Sequence, residues 1–129
     1  AMNGIISSEG KTVAVLQEQL IAAPSMHGLE LASAVSTKEF YWAGNLQASK
    51  KVAVLDLGIK KSILTCLTSR DVLAGVFPAN TKVETLTAFE ADGFFISNGP
   101  GDPAAMPYAV ETVKALLAIG KPIFGICLG

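Results

Sequence analysis

Two different spacings of apolar residues divide the chain. From Ser8 to Ala23, "SEGKTVAVLQEQLIAA" places Val13, Leu16, Leu20 and Ala23 at intervals of three and four, one face of a helix that Pro24 ends. "HGLELASAV" reads as a second short helical piece, and "KEFYW" as a strand or an anchoring loop. The small, polar stretch "AGNLQASKK", from Ala43 to Lys51, predicts a domain boundary between residues 1–46 and 51–129.

Beyond it, short apolar runs alternate with helical segments, the pattern of a parallel sheet covered on both faces. The runs are "VAVLDL" (52–57), "VLAGVF" (72–77), "GFFIS" (93–97) and "PIFGI" (122–126). Between the first two, Ile59, Ile63, Cys66 and Leu67 share a helical face. Between the second and third, Thr81 and Glu84 match a capping box opening "TKVETLTAF". Between the third and fourth, Pro107 and Gly120 bracket "PYAVETVKALLAIG" as a first-turn proline and a terminating glycine. The order β-α-β-α-β-α-β predicts an α/β fold with a doubly wound parallel sheet.

Charge narrows the partners. In 129 residues, 10 Lys and Arg stand against 11 Asp and Glu with no basic block, which argues against a nucleic-acid surface or a polybasic membrane anchor. No basic segment leads into an apolar stretch at the start, and no run of about 18 apolar residues occurs, so a soluble, cytoplasmic protein is expected. Cys66 and Cys127 are the two cysteines, in settings unlike a disulfide scaffold or a zinc ligand set, so no metal is expected. Ala1 ahead of Met2 reads as a cloning remnant.

In open parallel sheets ligands collect at the carboxyl ends of the strands, where two loops stand out. "SNGPGDP", Ser97 to Pro103, permits tight turns and leaves main-chain N–H groups free to face a ligand, although alone it reads first as a plain turn. "GICLG", at the chain's end, is a Gly-x-nucleophile-x-Gly sequence, the pattern of a sharp elbow that holds a reactive side chain clear of the sheet. Its bland alternative is a small core thiol. Following different strands of one sheet, each loop is placed to give one N–H donor to the same oxyanion.

With "LDLGIKKSIL" upstream, these loops resemble the class I (triad) glutamine amidotransferases, and among them the small subunit of glutamine-dependent carbamoyl-phosphate synthetase. "APSMHGLELASAVSTKEFYW" is similar to the end of that subunit's N-terminal domain. The resemblance implies a flavodoxin-like fold, with 51–129 the N-terminal half of the amidotransferase domain and 1–46 an end piece of the domain before it. It implies Cys127 as nucleophile, Gly99 and Leu128 as main-chain oxyanion donors and Gly101 in the glutamine pocket. It also implies L-glutamine as substrate and no cofactor in this subunit. The implied partner is a large synthetase subunit, which uses ATP to make carbamoyl phosphate for arginine and pyrimidine synthesis. The family's catalytic histidine and glutamate lie downstream of the elbow, and no such pair occurs before Gly129. The chain is therefore expected to be a fragment, inactive by itself and prone to self-association. Ser62, where the family usually has asparagine, reads as drift on a helix.

The remaining polar and aromatic residues have structural readings. His27, the single histidine, reads as a surface or linker residue, Cys66 as packing, Asp56 as a turn stabiliser and Asp102 as a helix cap. Phe40, Tyr41 and Trp42 read as an anchor between domains. Two rival functions stay open: an amidotransferase subunit of the anthranilate synthase type, against which the 50 residues ahead of the strands argue, and a non-catalytic binding module on the same fold.

Overall fold

A computed structural model describes residues 3–129; Ala1, with its reading as a cloning remnant, and Met2 lie outside the described residues. The N-terminal arm is less helical than its spacing predicts. Helix α1 (Val13–Ala22) starts at Val13 rather than Ser8 because Thr12 takes the N-cap, its Oγ1 accepting the Val15 N–H at 3.5 Å. Leu16 and Leu20 of the expected face are half-buried, while Val13 is exposed. "HGLELASAV" yields a single turn, α2 (Ala32–Val35). Gly28 takes a φ of 75°, which breaks helical continuity, and Glu30 pairs in a β-bridge with Gly101. "KEFYW" contributes a strand, β1 (Tyr41–Ala43).

Four parallel strands follow: β2 (Lys50–Asp56), β3 (Val72–Pro78), β4 (Gly93–Ile96) and β5 (Ile123–Gly125). The sheet order is β1-β3-β2-β4-β5, with β1 antiparallel to β3 and every other pair parallel. β1 thus joins this sheet from the N-terminal side of the Ala43–Lys51 stretch. The four parallel strands run 2-1-3-4 in space, the flavodoxin-like arrangement, with the reversal between β2 and β4.

Alternation along the strands sends side chains into two cores. Ala53, Leu55, Leu57, Phe77, Phe94 and Ile96 pack on one face with Leu86, Ala109 and Leu116. These last come from helices α4 (Val83–Ala88) and α5 (Pro107–Ala118). Val54, Ala74, Val76 and Phe95 pack on the other against Ile63, Leu64 and Leu67 of α3 (Lys61–Thr68). Pro107 opens α5 and Gly120, at φ 76°, follows its end, as their positions predict.

Two local expectations fail. The Thr81–Glu84 capping box does not form, because α4 starts one residue later than the box requires, with Lys82 at the N-cap and no side-chain cap bond; the Thr81 carbonyl accepts the Thr112 hydroxyl of α5 at 3.3 Å. Cys66 does not pack: it is exposed. The half-buried stripe of α3 passes through Ile63, Leu64 and Leu67, leaving Cys66 on the wall of an open apolar groove with Phe95, Phe124 and Ile126.

Candidate functional site

The reversal between β2 and β4 is where a doubly wound sheet opens a crevice. Three chain segments meet there, and hydrogen bonds fix each against the next. The turn after β2 is built on Asp56, which is buried. Its Oδ1 accepts the N–H groups of Gly58 and Ile59 at 2.8 and 2.7 Å, and its Oδ2 accepts that of Thr37 at 2.7 Å. The turn role read from the sequence is therefore present, with a tie to the arm added. Tyr41 lies close enough for burial, and then the charge of Asp56, to raise its hydroxyl pKa.

The loop after β4 is pinned to that turn. Ser97, fully buried, accepts the Leu57 N–H at 2.8 Å and donates to the Asn98 carbonyl at 2.7 Å. Asn98 accepts the Lys60 N–H at 3.2 Å and donates to the Gly58 carbonyl at 3.0 Å. Gly99 then passes so near β2 that a β-carbon would overlap the Leu57 carbonyl. Gly101, at φ 100°, turns the chain against Leu29 and Leu31 of the arm. Asp102 caps a one-turn 3-10 helix, Pro103–Ala105, accepting the Ala104 N–H at 3.0 Å.

The segment after β5 is an elbow. The Ile126 N–H donates to the Ile96 carbonyl at 3.1 Å, tying it to the end of β4, and the Gly129 N–H returns to the Ile126 carbonyl at 3.1 Å. Between them Cys127 sits at φ 60°, a left-handed conformation that costs a non-glycine residue about 1–3 kcal/mol. The flanking glycines are sterically required. A β-carbon on Gly125 would overlap the main chain of Gly129, and one on Gly129 would overlap the Ile96 carbonyl. Ile126 packs into the α3-side core and Leu128 into the α5-side core, so the two neighbours of Cys127 are anchored on opposite faces of the sheet. Cys127 itself is exposed between them.

Cys127, Leu128 and Gly99 thus stand at the carboxyl ends of strands on the β5 side of the reversal. Leu128 and Gly129 share a cavity of about 170 Å³ with Leu57 and Ile96, the residues against which Gly99 and Gly129 are pressed. Among the described residues, neither the Gly99 nor the Leu128 N–H donates a hydrogen bond within the protein. Gly101 lies on the other side of its loop, lining a cavity of about 410 Å³ with Ser25, Met26, His27 and Asp102. Cys127 does not line that cavity. No group of three His, Cys, Asp or Glu residues placed to hold a metal occurs among the described residues.

Residues 53–129 match the glutamine amidotransferase class-I family. The chain belongs to that family. As a class-I amidotransferase it is also similar, from end to end, to longer proteins named carbamoyl phosphate synthase small chain. The relative from Thermosynechococcus vestitus is 41% identical over 143 residues, covering 100% of this chain and 37% of its own length. Those from Nostoc sp. and Chlorobaculum tepidum are 43% and 42% identical, each across the whole chain and covering 37% and 36% of their own lengths. The amidotransferase chain therefore spans a little over a third of the curated relatives it matches. No helix among its described residues is long and apolar enough to cross a membrane.

The ties that hold the site were less visible in the sequence than its glycines. The glycines of "SNGPGDP" point to its main chain, yet the side chains of Ser97 and Asn98 lock the loop to the turn after β2. Nothing in sequence spacing pairs residues 40 positions apart. The available signal was a serine and an asparagine at the end of an otherwise apolar strand.

Proposed function

We propose that the chain carries the nucleophile and oxyanion half of a glutaminase that supplies ammonia for carbamoyl phosphate synthesis. The observation that carries this reading is Cys127, exposed and held at positive φ in a glycine-flanked elbow, with the Leu128 N–H that follows it free of a protein acceptor. Left-handed strain at non-glycine residues clusters at functional sites, and Cys127 differs from Asp71 and Glu90, which share it, in lying between two glycines that admit no side chain.

In this reading the Cys127 thiolate attacks the side-chain amide carbon of L-glutamine. The carbonyl oxygen becomes an oxyanion facing the N–H groups of Gly99 and Leu128, while Gly101 lines the substrate's side. Collapse expels ammonia, protonated by a general acid, and leaves a γ-glutamyl thioester. Water then hydrolyses the thioester, releasing glutamate and restoring the thiol. His27 faces the cavity at Gly101 and Asp102 rather than the thiol, so it is not assigned as the base.

The relatives' similarity over residues 1–52, ahead of the family match, favours a carbamoyl phosphate synthase small chain over an amidotransferase of the anthranilate synthase type. The ammonia would pass to a large synthetase subunit that uses ATP, for arginine and pyrimidine synthesis in the cytoplasm. The amidotransferase part would need no cofactor. The test is labelling of the full-length protein by a chloroketone analogue of glutamine. We expect modification at Cys127, slowed by glutamine and abolished in Cys127→Ser. Labelling elsewhere, or no protection by glutamine, would leave a binding module as the better description.

A further inference from the structure

The loop that bears Gly99 and Gly101 is held from its outer side by the arm. Gly28 donates its N–H to Asp102 Oδ2 at 2.9 Å, and the Asp102 N–H donates to the Leu29 carbonyl at 2.9 Å. Glu30 forms the β-bridge to Gly101. Its carboxylate accepts the Tyr108 hydroxyl at 2.7 Å and the Ser33 N–H at 2.9 Å, and it also takes the Ser33 hydroxyl. Residues 28–31 therefore lie across the Gly101 turn as a short strap, tied at one end through Asp102 and at the other through Glu30 to α5.

The strap is anchored rather than loose. Ala32, next in sequence, is fully buried in the α5-side core. Buried Ser36 accepts the Ala79 N–H at 2.9 Å, and Thr37 is tied to Asp56. The Gly101 turn is also closely fitted to it: a β-carbon there would stand 2.7 Å from the Leu29 carbonyl. The opposite side of the same loop is fixed to β2 by Ser97 and Asn98. A loop held on one side only would rotate about that side, and with it the Gly99 N–H and the Gly101 wall.

We propose that Asp102 and Glu30 are positioning residues for glutamine binding, acting through the strap 28–31 on the loop Asn98–Gly101. The inference rests on the glutaminase reading, but its mechanical part is tested apart from it. Asp102 has two tasks that can be separated: one oxygen caps Ala104 and the other latches Gly28. Asp102→Ser keeps a good capping hydroxyl but has no second oxygen for the latch. Tyr108→Phe removes only the hydroxyl that holds Glu30.

In the full-length protein, hydrogen exchange at the main-chain amide of residue 102, taken relative to the intrinsic rate for the residue present, reads the strap without substrate, because its acceptor is the Leu29 carbonyl. We expect exchange about tenfold faster in Asp102→Ser. We expect the KM for glutamine to rise about five- to tenfold in Asp102→Ser and about threefold in Tyr108→Phe, with kcat within about twofold in both. Alkylation of Cys127 by iodoacetamide, which needs no glutamine pocket, keeps its rate. Unchanged exchange in Asp102→Ser overturns the strap. Faster exchange with KM unchanged in both variants overturns its role in binding. Equal losses in kcat and in alkylation overturn it as well, by placing the damage at the elbow. If the unsubstituted protein shows no glutamine protection of Cys127, the glutaminase reading fails while the exchange result still decides the strap.

Discussion

Gly99 carries a sharp demand because its missing side chain is what lets the loop lie against β2. In Gly99→Ala the new methyl would overlap the Leu57 carbonyl and stand 2.9 Å from the Leu57 Cβ, so the main chain must move and carry its N–H with it. Losing one oxyanion donor costs about 10²–10³ in kcat, so a loss of that size is expected in glutamate release by the full-length protein. Iodoacetamide should still alkylate Cys127 at the original rate, since the elbow rests on Ile96 and Gly125 rather than on Gly99. A kcat within twofold would show that Gly99 gives no donor. Charge at the arm adds a pH signature. Glu30 is held below the ordinary carboxylate range by the Ser33 hydrogen bonds first and Tyr108 after them, and Asp102 by the N–H groups of Gly28 and Ala104. A carboxylate with a depressed folded pKa adds stability that is fully present above its unfolded pKa and is lost as pH falls through the folded value, on the acid side of the ordinary carboxylate range. Tyr108 behaves oppositely. Burial first, then Glu30, push it up to about 12, so its contribution is present below its ordinary pKa and disappears as pH rises through about 12. Urea melts across pH should show Tyr108→Phe flattening the alkaline limb and barely altering the acid one, which Ser33 dominates; an unchanged alkaline limb would count against the Tyr108–Glu30 bond.

At the level of elements, Ser97 joins two neighbouring strands where the sheet reverses. Ser97→Ala leaves the Leu57 N–H without its acceptor at a fully buried position. An orphaned buried donor costs about 1–3 kcal/mol, so the urea midpoint should fall with an unchanged slope. A loss below about 0.5 kcal/mol would mean the loop finds another partner. This bond also marks the limit of what the sequence made legible. The strands announced themselves because each is apolar on both faces, and the elbow did so because two glycines flank one cysteine. Local spacing was misleading wherever a distant element decided the outcome. Thr81 and Glu84 had the capping spacing, yet the helix starts one residue later, with Lys82 at the N-cap, while Thr81 is held outside it by the Thr112 hydroxyl of α5. Cys66 had the helical phase of Ile63 and Leu67, yet α3 lies so that Leu64 completes the half-buried stripe. "HGLELASAV" had helical spacing, but Gly28 and Glu30 are held by Asp102, Gly101 and Tyr108, more than 70 residues on.

Across the whole molecule, the two faces of the sheet are unequally covered. The face under α4 and α5 is closed over β2 and β4, whereas among the described residues α3 is the helix packed on the other, where Phe124 of β5 stays exposed. A groove of about 280 Å³ therefore runs along Cys66, Phe95, Phe124 and Ile126, and Phe124 is 63% exposed. Among the described residues β5 pairs with β4 and with no other strand, which leaves the N–H and carbonyl groups of its outer edge unpaired. An apolar face next to an open strand edge is the arrangement that natural sheets guard against, because a second copy can add both strand pairing and burial there. The 129-residue chain is accordingly expected to self-associate, with sedimentation velocity giving a weight-average size that grows with concentration. Phe124→Glu should shift that population toward monomer. It should cost little stability, because the exposed ring leaves little burial to lose, its contact with Phe95 being at 5.8 Å between ring centres. A single monomeric boundary at every concentration, or association unaffected by Phe124→Glu, would show that the open face and edge are not where copies meet. Exposed Cys66 lies on the same groove, so its alkylation rate should rise as dilution or the Phe124→Glu change frees that face.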